Sequence, residues 1–295
     1  VVAMPESDPR HMNSRVGAVI VNFNAGAHLT DCVTALRAEG VEDIVVVDNG
    51  SSDDSLERAT SAIGGIKVEH LPNPGYGAAA NHGAKLIDNE VLFVINPDAR
   101  VFPGAIKTML ERFDQDPDIA MVGPALSNDD GSIYPSARMF PSFVDGVGHA
   151  IVGLFTQENR WSRRYKMADW GHSSFREVDW ISGAALFIRR KAFDSVSGFD
   201  DGYWMFMEDV DLSWRLSRLG WKIVYEPGAQ VAHTGGVSTS STNRPMVFVR
   251  AHHKSLVRYH RRTATGTKVL TLPLIVVGIR LRFVLAWVKA RLANR

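Results

Sequence analysis

"FVINPDARV" (93–101) is the stretch whose reading decides the fold, because an apolar run breaks there at Asn96-Pro97-Asp98, two polar residues around a proline. Proline has no N–H for a sheet ladder and pushes the residue before it toward extended geometry, so a buried strand over 91–95 should stop at this point. Asp98 then stands at the strand's carboxyl end. In open α/β sheets that edge is where ligands bind. Taken alone, Asn96 and Asp98 also read as ordinary turn formers.

Upstream the same design recurs. "VGAVIVNFN" (16–24) and "EDIVVVDNGSSDDS" (42–55) are apolar runs ending in polar turns, the second with Asp48 after three valines. Between them "HLTDCVTALRAEG" (28–40) has helical spacing and closes on Gly40. A short strand at 67–70 and the glycine-bearing "LPNPGYGAAANHGAKLI" (71–87), running into a helix, complete a βαβαβα alternation. The fold class is therefore α/β, a mostly parallel central sheet with helices on both faces, and the first 100 residues or so form a Rossmann-like nucleotide-binding half. From Ile119 the alternation weakens. "ALSNDDGSIYPSARMFPS" (125–142) reads as a hairpin or loop, and 142–177 as a mobile acceptor-side loop. Order returns with a strand over 184–188, a helix over 209–219 backed by Gly220, and two short strands in 222–233.

The 295 residues suffice for a large core. The single cysteine, Cys32, excludes an intramolecular disulfide and a cysteine zinc cluster, and a reducing interior is the simpler compartment. Residues 1–15 lack the pattern of a secretory signal and read as a disordered lead. The formal net charge of +1 conceals an asymmetry: no acidic residue follows Glu226, and 12 of the 33 Lys and Arg lie beyond it. The first 226 residues thus carry 21 basic and 32 acidic groups, net −11, against +12 for the tail. Such a tail points to an anionic partner, a membrane surface or nucleic acid.

Several groups could carry chemistry. Asp48 either caps its own turn or accepts from a base imide or ribose hydroxyl. Gly75 and Gly77 precede a helix, so backbone N–H groups there could face a diphosphate, although the pattern is neither a dinucleotide fingerprint nor a P-loop. Glu208, Asp209 and Asp211 open a helix, where acids offset the dipole; among Trp204, Phe206 and Trp214, a desolvated carboxylate there could also serve as a general base. His233 reads as a satisfied polar residue or, with Asp98, as a ligand for Mg2+ or Mn2+. "VFVRAHHKSLVRYHRR" (247–262) is a solvated basic face or a clamp for a diphosphate or acidic headgroups. The apolar run within 269–295 is too short to span a bilayer and has Arg280 and Arg282 in its middle, which fits an interfacial helix; packing on the core is the alternative.

The ordered set "VIVNFN", "VVVDNGSSDDS", "NPGYGAAANHG", "FVINPDA", "WISGAALFIRR", "FMEDVDLSWRLSRLGW" and "VAHTGG" resembles the inverting family 2 glycosyltransferases of GT-A fold, from Val16 to Gly236, and within them bacterial rhamnosyltransferases. The resemblance implies a donor site of Asn22, Asp48, Gly75, Asn81 and Asp98, acceptor contacts from Trp180, Ser182 and Gly183, and a catalytic base at Asp209 with Glu208 as the fallback. It implies a cofactor, Mn2+ or Mg2+, on Asp98 and His233, with Asn96 departing from the family's Asp-x-Asp. It implies dTDP-β-L-rhamnose as donor, or a UDP-sugar as the alternative, and a polyprenyl-diphosphate-linked N-acetylglucosamine as acceptor in building a cell-wall linker. The expected units are a nucleotide-sugar half (16–118), an acceptor and catalytic half (119–240) and a basic amphipathic tail (241–295) on an anionic membrane. The expected place is the cytoplasmic face of the plasma membrane, with no nucleic acid bound and homo-oligomerisation left open. A nucleotidyltransferase would want a cation in the loop after the first strand, and "NFNAGAHLTD" has none. A non-catalytic binding module would rest on the tail alone.

Overall fold

The computed structural model describes residues 14–140, 160–165, 167–236, 245–266 and 268–293. The first half reads β1 (Val16–Asn22), α1 (His28–Ala38), β2 (Asp43–Asp48), α2 (Ser55–Ala62), β3 (Lys67–His70), α3 (Tyr76–Ala84), β4 (Val91–Ile95), β5 (Ala99–Val101) and α4 (Ala105–Gln115). The second adds β6 (Ile119–Ser127), β7 (Ile133–Tyr134), β8 (Ala137–Arg138), α5 (Arg160–Tyr165), β9 (Arg176–Glu177), β10 (Trp180–Ile181), β11 (Ala185–Arg189), α6 (Arg190–Ser195), α7 (Glu208–Arg218) and β12 (Lys222–His233). Two helices follow, α8 (Pro245–Thr263) and α9 (Lys268–Ala293).

One sheet joins both halves in the order β3-β2-β1-β4-β11-β6-β12-β5. The β3-β2-β1-β4 block is parallel, as the alternation requires; β11 enters antiparallel between β4 and β6, and β12 runs parallel to β6. Strands β1, β2 and β4 are buried on both faces, so alternate residues serve different cores. Val16, Ala18 and Ile20 of β1 pack with α1 and α4 through Leu29, Leu36, Ile106 and Met109. Val19 and Val21 face the other way, toward Ala79 and Ala80 of α3 and Leu212 and Leu216 of α7.

Three expectations change. Residues 222–233 form one strand, because its ladder to β6 absorbs Pro227 and Gly228 as a register shift between Glu226 and Gln230. In the lead, 1–13 lie outside the described residues, whereas Arg15 is held by Glu90 and Asp114 at 2.8 and 2.9 Å. In the expected loop, 142–159 and 166 lie outside the described residues, and the remainder includes the helix α5.

The tail divides its roles. Tyr259 of α8 is 2% exposed in a small cluster with Tyr203, Met207 and Val210, and Arg258 and Arg262 pair with Asp200. By contrast α9 leaves Leu270, Leu274, Val277, Leu281 and Val284 exposed, and its apolar residues surround the helix, not one face only. No helix among the described residues is long and apolar enough to cross a membrane.

Candidate active site

Beyond the carboxyl ends of β1 to β4 the sheet opens into a cavity of about 750 Å3, walled by 204–210, by the paired strands β8 and β10, and by α8. Asp98, in the turn between β4 and β5, and His233, the last residue of β12, meet on its floor. The Ala99 N–H closes the turn after β4 on the Asn96 carbonyl at 3.1 Å, β5 begins at once, and β12 sets His233 opposite Ala99. That ladder leaves His233 Nε2 3.4 Å from Asp98 Oδ1, with the Asn96 amide 3.4 Å from the same nitrogen. Asp98 and His233 are 8% and 9% exposed. One carboxylate and one imidazole suit a hard divalent cation such as Mg2+ or Mn2+. Among the described residues no group of three or more His, Cys, Asp or Glu gathers as a metal site. A cation on this pair would therefore take further ligands from diphosphate oxygens and water, as Mg2+ sites commonly do.

Across the cavity α7 begins with Glu208 and Asp209. Phe206 and Met207 precede them at φ 67° and 69°, left-handed backbone that bulky residues rarely adopt and that stores strain beside the site. The two carboxyls differ in surroundings. Glu208 is 7% exposed, its Oε2 has no hydrogen-bond partner, and burial followed by the charge of Asp209 pushes it up to about 8. Asp209 is more open and accepts 2.8 Å hydrogen bonds from the Gly183 and Val210 N–H groups; burial raises it, while those bonds and Arg138 pull the other way. A protonated Glu208 behind a hydrogen-bonded Asp209 leaves Asp209 as the carboxylate able to take a proton from something in the cavity.

Trp180, Ser182 and Gly183, expected near the sugar and acceptor, line the wall beside Asp209. Trp180 is fixed by its Nε1–H donating to the Met139 carbonyl at 2.8 Å, and Gly183 by the Tyr76 hydroxyl donating to its carbonyl at 2.9 Å.

Of the expected donor-side residues Asp98 lines the cavity, whereas Asn22, Asp48, Gly75 and Asn81 stand outside its lining. Asn22 is fully buried, donating to Asp48 Oδ1 at 2.9 Å and to Ser51 and Ser55; it props Asp48 from behind, and Val21 and Asn49 line the cavity beside them. Asp48 itself is 6% exposed, with His70 Nδ1 at 3.6 Å. Gly75 does not line the cavity. A Cβ there would stand 2.5 Å from the Trp204 carbonyl oxygen, which accepts the Tyr76 N–H at 3.0 Å, so the glycine serves close packing of the 204 segment and does not offer that N–H to a diphosphate. Asn81 likewise turns inward. Its amide donates to the Phe199 carbonyl and Asp201, and accepts from the Phe199 N–H, all at 2.8–2.9 Å, so it clips the 199–201 turn.

Arg138 escaped the sequence reading. It projects into the cavity over the Trp180, Tyr134 and Tyr165 rings at 5.2, 5.6 and 5.8 Å, and its charge opposes the rise that burial imposes on Asp209. The signal was a lone arginine in a hairpin of small and aromatic residues, which composition alone does not distinguish from a surface cation.

Residues 18–197 match the family described as Glycosyl transferase family 2, and 134–289 match Glycosyl transferase family group 2. Over 261 residues, 83% of each chain, the sequence is 36% identical to the N-acetylglucosaminyl-diphospho-decaprenol L-rhamnosyltransferase of Mycobacterium tuberculosis. The chain belongs to glycosyl transferase family 2. The pre-mycofactocin glycosyltransferase of the same organism is 31% identical over 78% of this family 2 chain and 44% of its own length. Among solved structures, S. aureus TarS 1–349 aligns with a TM-score of 0.52 at 14% identity, covering 90% of this chain and 71% of that one. GalNAc-T7 with UDP, GalNAc and Mn2+ gives 0.54 at 17%, and the present chain spans 74% of itself and 43% of that chain. At these identities the likeness shows the fold alone, that of the GT-A glycosyltransferases.

Proposed function

We propose that this chain is an inverting rhamnosyltransferase that moves L-rhamnose from dTDP-β-L-rhamnose to a hydroxyl of polyprenyl-diphosphate-linked N-acetylglucosamine, building a cell-wall linker. The observation that carries the substrates is the 36% identity, over 83% of both chains, to the mycobacterial decaprenol-linked enzyme. The reaction type is supported by one cavity that holds both Asp209 and the Asp98–His233 pair.

Asp209 accepts the proton of the acceptor hydroxyl as its oxygen attacks the anomeric carbon from the face opposite the diphosphate. The carbon–oxygen bond to the diphosphate breaks, its electron pair leaves with the nucleotide, and the β-linked sugar becomes an α-rhamnoside with no enzyme nucleophile. Asp98 and His233 would hold Mn2+ or Mg2+, which when bound offsets the charge gathering on the leaving diphosphate. Glu208, kept protonated by burial, adds no second negative charge against that diphosphate at neutral pH. Arg138 and Trp180 form the wall on which the acceptor sugar rests. Residues 16–118 hold the donor and 119–240 the acceptor, while the tail (241–295), with the exposed apolar stripe of α9, meets an anionic membrane at the cytoplasmic face.

The test is transfer from dTDP-rhamnose and from a panel of UDP-sugars to the lipid-linked acceptor, with Mn2+, Mg2+ or EDTA. Metal-dependent transfer from dTDP-rhamnose alone is the expected result. Use of a UDP-sugar instead overturns the rhamnose assignment, and undiminished transfer in EDTA overturns the role of Asp98 and His233.

A further inference from the structure

A second cavity, about 630 Å3, lies between α8 and α9, and the transfer chemistry makes no use of it. Six cations line it, Arg250, Lys254, Arg258, Arg261 and Arg262 from α8 and Arg280 from α9. Arg258 and Arg262 are engaged by Asp200, and Arg262 also by Asp211. The ion pairs among the described residues do not reach Arg250, Lys254, Arg261 or Arg280, and the chain carries no acidic residue after Glu226. Like charges gathered without counter-charge repel one another, and an anion among them removes that cost.

A second observation points to the same ligand. His253 lines this cavity, is 8% exposed, and has Nδ1 2.7 Å from the Val249 carbonyl, while its Nε2 is buried with no hydrogen-bond partner. Donation from Nδ1 to the Val249 carbonyl makes Nε2 an acceptor, a buried polar atom left unpaired is unfavourable, and a hydroxyl beside the phosphate, as on a glycerol headgroup, would satisfy it.

The flank of the cavity names the source of the anion. At 100° per residue, Val277 and Val284 stand about 60° and 40° around α9 from Arg280, so the exposed stripe of Leu270, Leu274, Val277, Leu281 and Val284 adjoins the cations. Phosphate beside apolar chain is the chemistry of a membrane lipid. We infer that the cavity between α8 and α9 binds the headgroup phosphate of an anionic phospholipid, whose chains lie along α9. The inference rests on the reading that the tail meets a membrane. It adds a consequence for the active site: Val247, Phe248 and His252 of the same α8 line the first cavity, so a lipid held on one side of the helix sets the height of the acceptor site above the bilayer.

The experiment is flotation of the full chain with vesicles of phosphatidylcholine, of phosphatidylcholine with phosphatidylglycerol, and of phosphatidylcholine with undecaprenyl diphosphate. Arg250→Gln/Lys254→Gln/Arg280→Gln is compared with Lys107→Gln/Lys191→Gln/Arg218→Gln, an equal change in net charge at exposed sites off the cavity. The cavity variant should lose roughly a hundredfold in partitioning to phosphatidylglycerol vesicles, from about 1 kcal/mol per cation, and the control no more than about threefold. His253→Leu, which leaves every cation in place, should lose severalfold. Equal loss in the two triple variants overturns the cavity and leaves the membrane reading standing. Wild-type protein indifferent to phosphatidylglycerol overturns both, and binding confined to undecaprenyl diphosphate vesicles overturns the phospholipid as occupant.

Discussion

Replacing Glu208 by glutamine should stabilise the protein at neutral pH. Glu208 is 7% exposed, its Oε2 lacks a partner, and burial with the neighbouring Asp209 charge moves its carboxyl from an ordinary 4.5 to about 8. In the unfolded chain the group ionises at its ordinary value. Between pH 4.5 and about 8 the folded protein therefore keeps a proton that the unfolded chain has released. The contribution of this group to stability is thus complete below 4.5 and is lost as pH rises toward 8. By pH 7 the loss is about 3 kcal/mol, from about 2.5 pH units at about 1.36 kcal/mol each. Glutamine has the shape of the neutral acid and nothing to ionise. Urea unfolding should place the variant within about 1 kcal/mol of wild type near pH 5 and about 3 kcal/mol above it at pH 7. A difference between the two proteins that does not change with pH would refute the assignment of a buried, protonated Glu208.

Three further outcomes follow from the packing. Gly75→Ala forces a Cβ to 2.5 Å from the Trp204 carbonyl at φ 115°, and should cost about 2–4 kcal/mol in a urea titration; a loss below about 1 kcal/mol contradicts the close-packing role. Asn81→Ala removes three hydrogen bonds to the 199–201 turn and should lower stability by about 2–3 kcal/mol with the donor KM unchanged, whereas a raised donor KM at wild-type stability would return Asn81 to the donor pocket. His233→Ala leaves Asp98 without its imidazole neighbour and should raise the Mn2+ concentration for half-maximal transfer about tenfold or more; an unaltered Mn2+ titration removes His233 from the metal site.

The parallel core was legible because its strands are apolar on both faces and stop at polar turns, as Val91–Ile95 does before Asn96-Pro97-Asp98. A residue's setting was legible where its neighbours are local. Glu208 and Asp209 stand beside Phe206, and that aromatic setting correctly signals desolvation. It was illegible where contacts come from far along the chain. Gly75 and Asn81 resemble donor-loop residues by position, yet the partners that occupy them, Trp204 and Phe199, lie more than a hundred residues later. Arg138 gains its place only when β8 pairs with β10 and lays it over Trp180. The continuity of β12 through Pro227 was hidden for a related reason, since β6 supplies a ladder on either side of the kink.

In the proposed mechanism Asp209 takes the acceptor's proton while the donor is held elsewhere in the same cavity. Asp209→Asn keeps the shape and can still accept the Gly183 N–H, so the most direct measurement is single-turnover transfer from dTDP-rhamnose alongside dTDP-rhamnose binding in that variant. Donor affinity should stay within about twofold of wild type and transfer should fall by roughly 100-fold or more, the usual range for loss of a general base. Transfer at the wild-type rate by Asp209→Asn would contradict that mechanism.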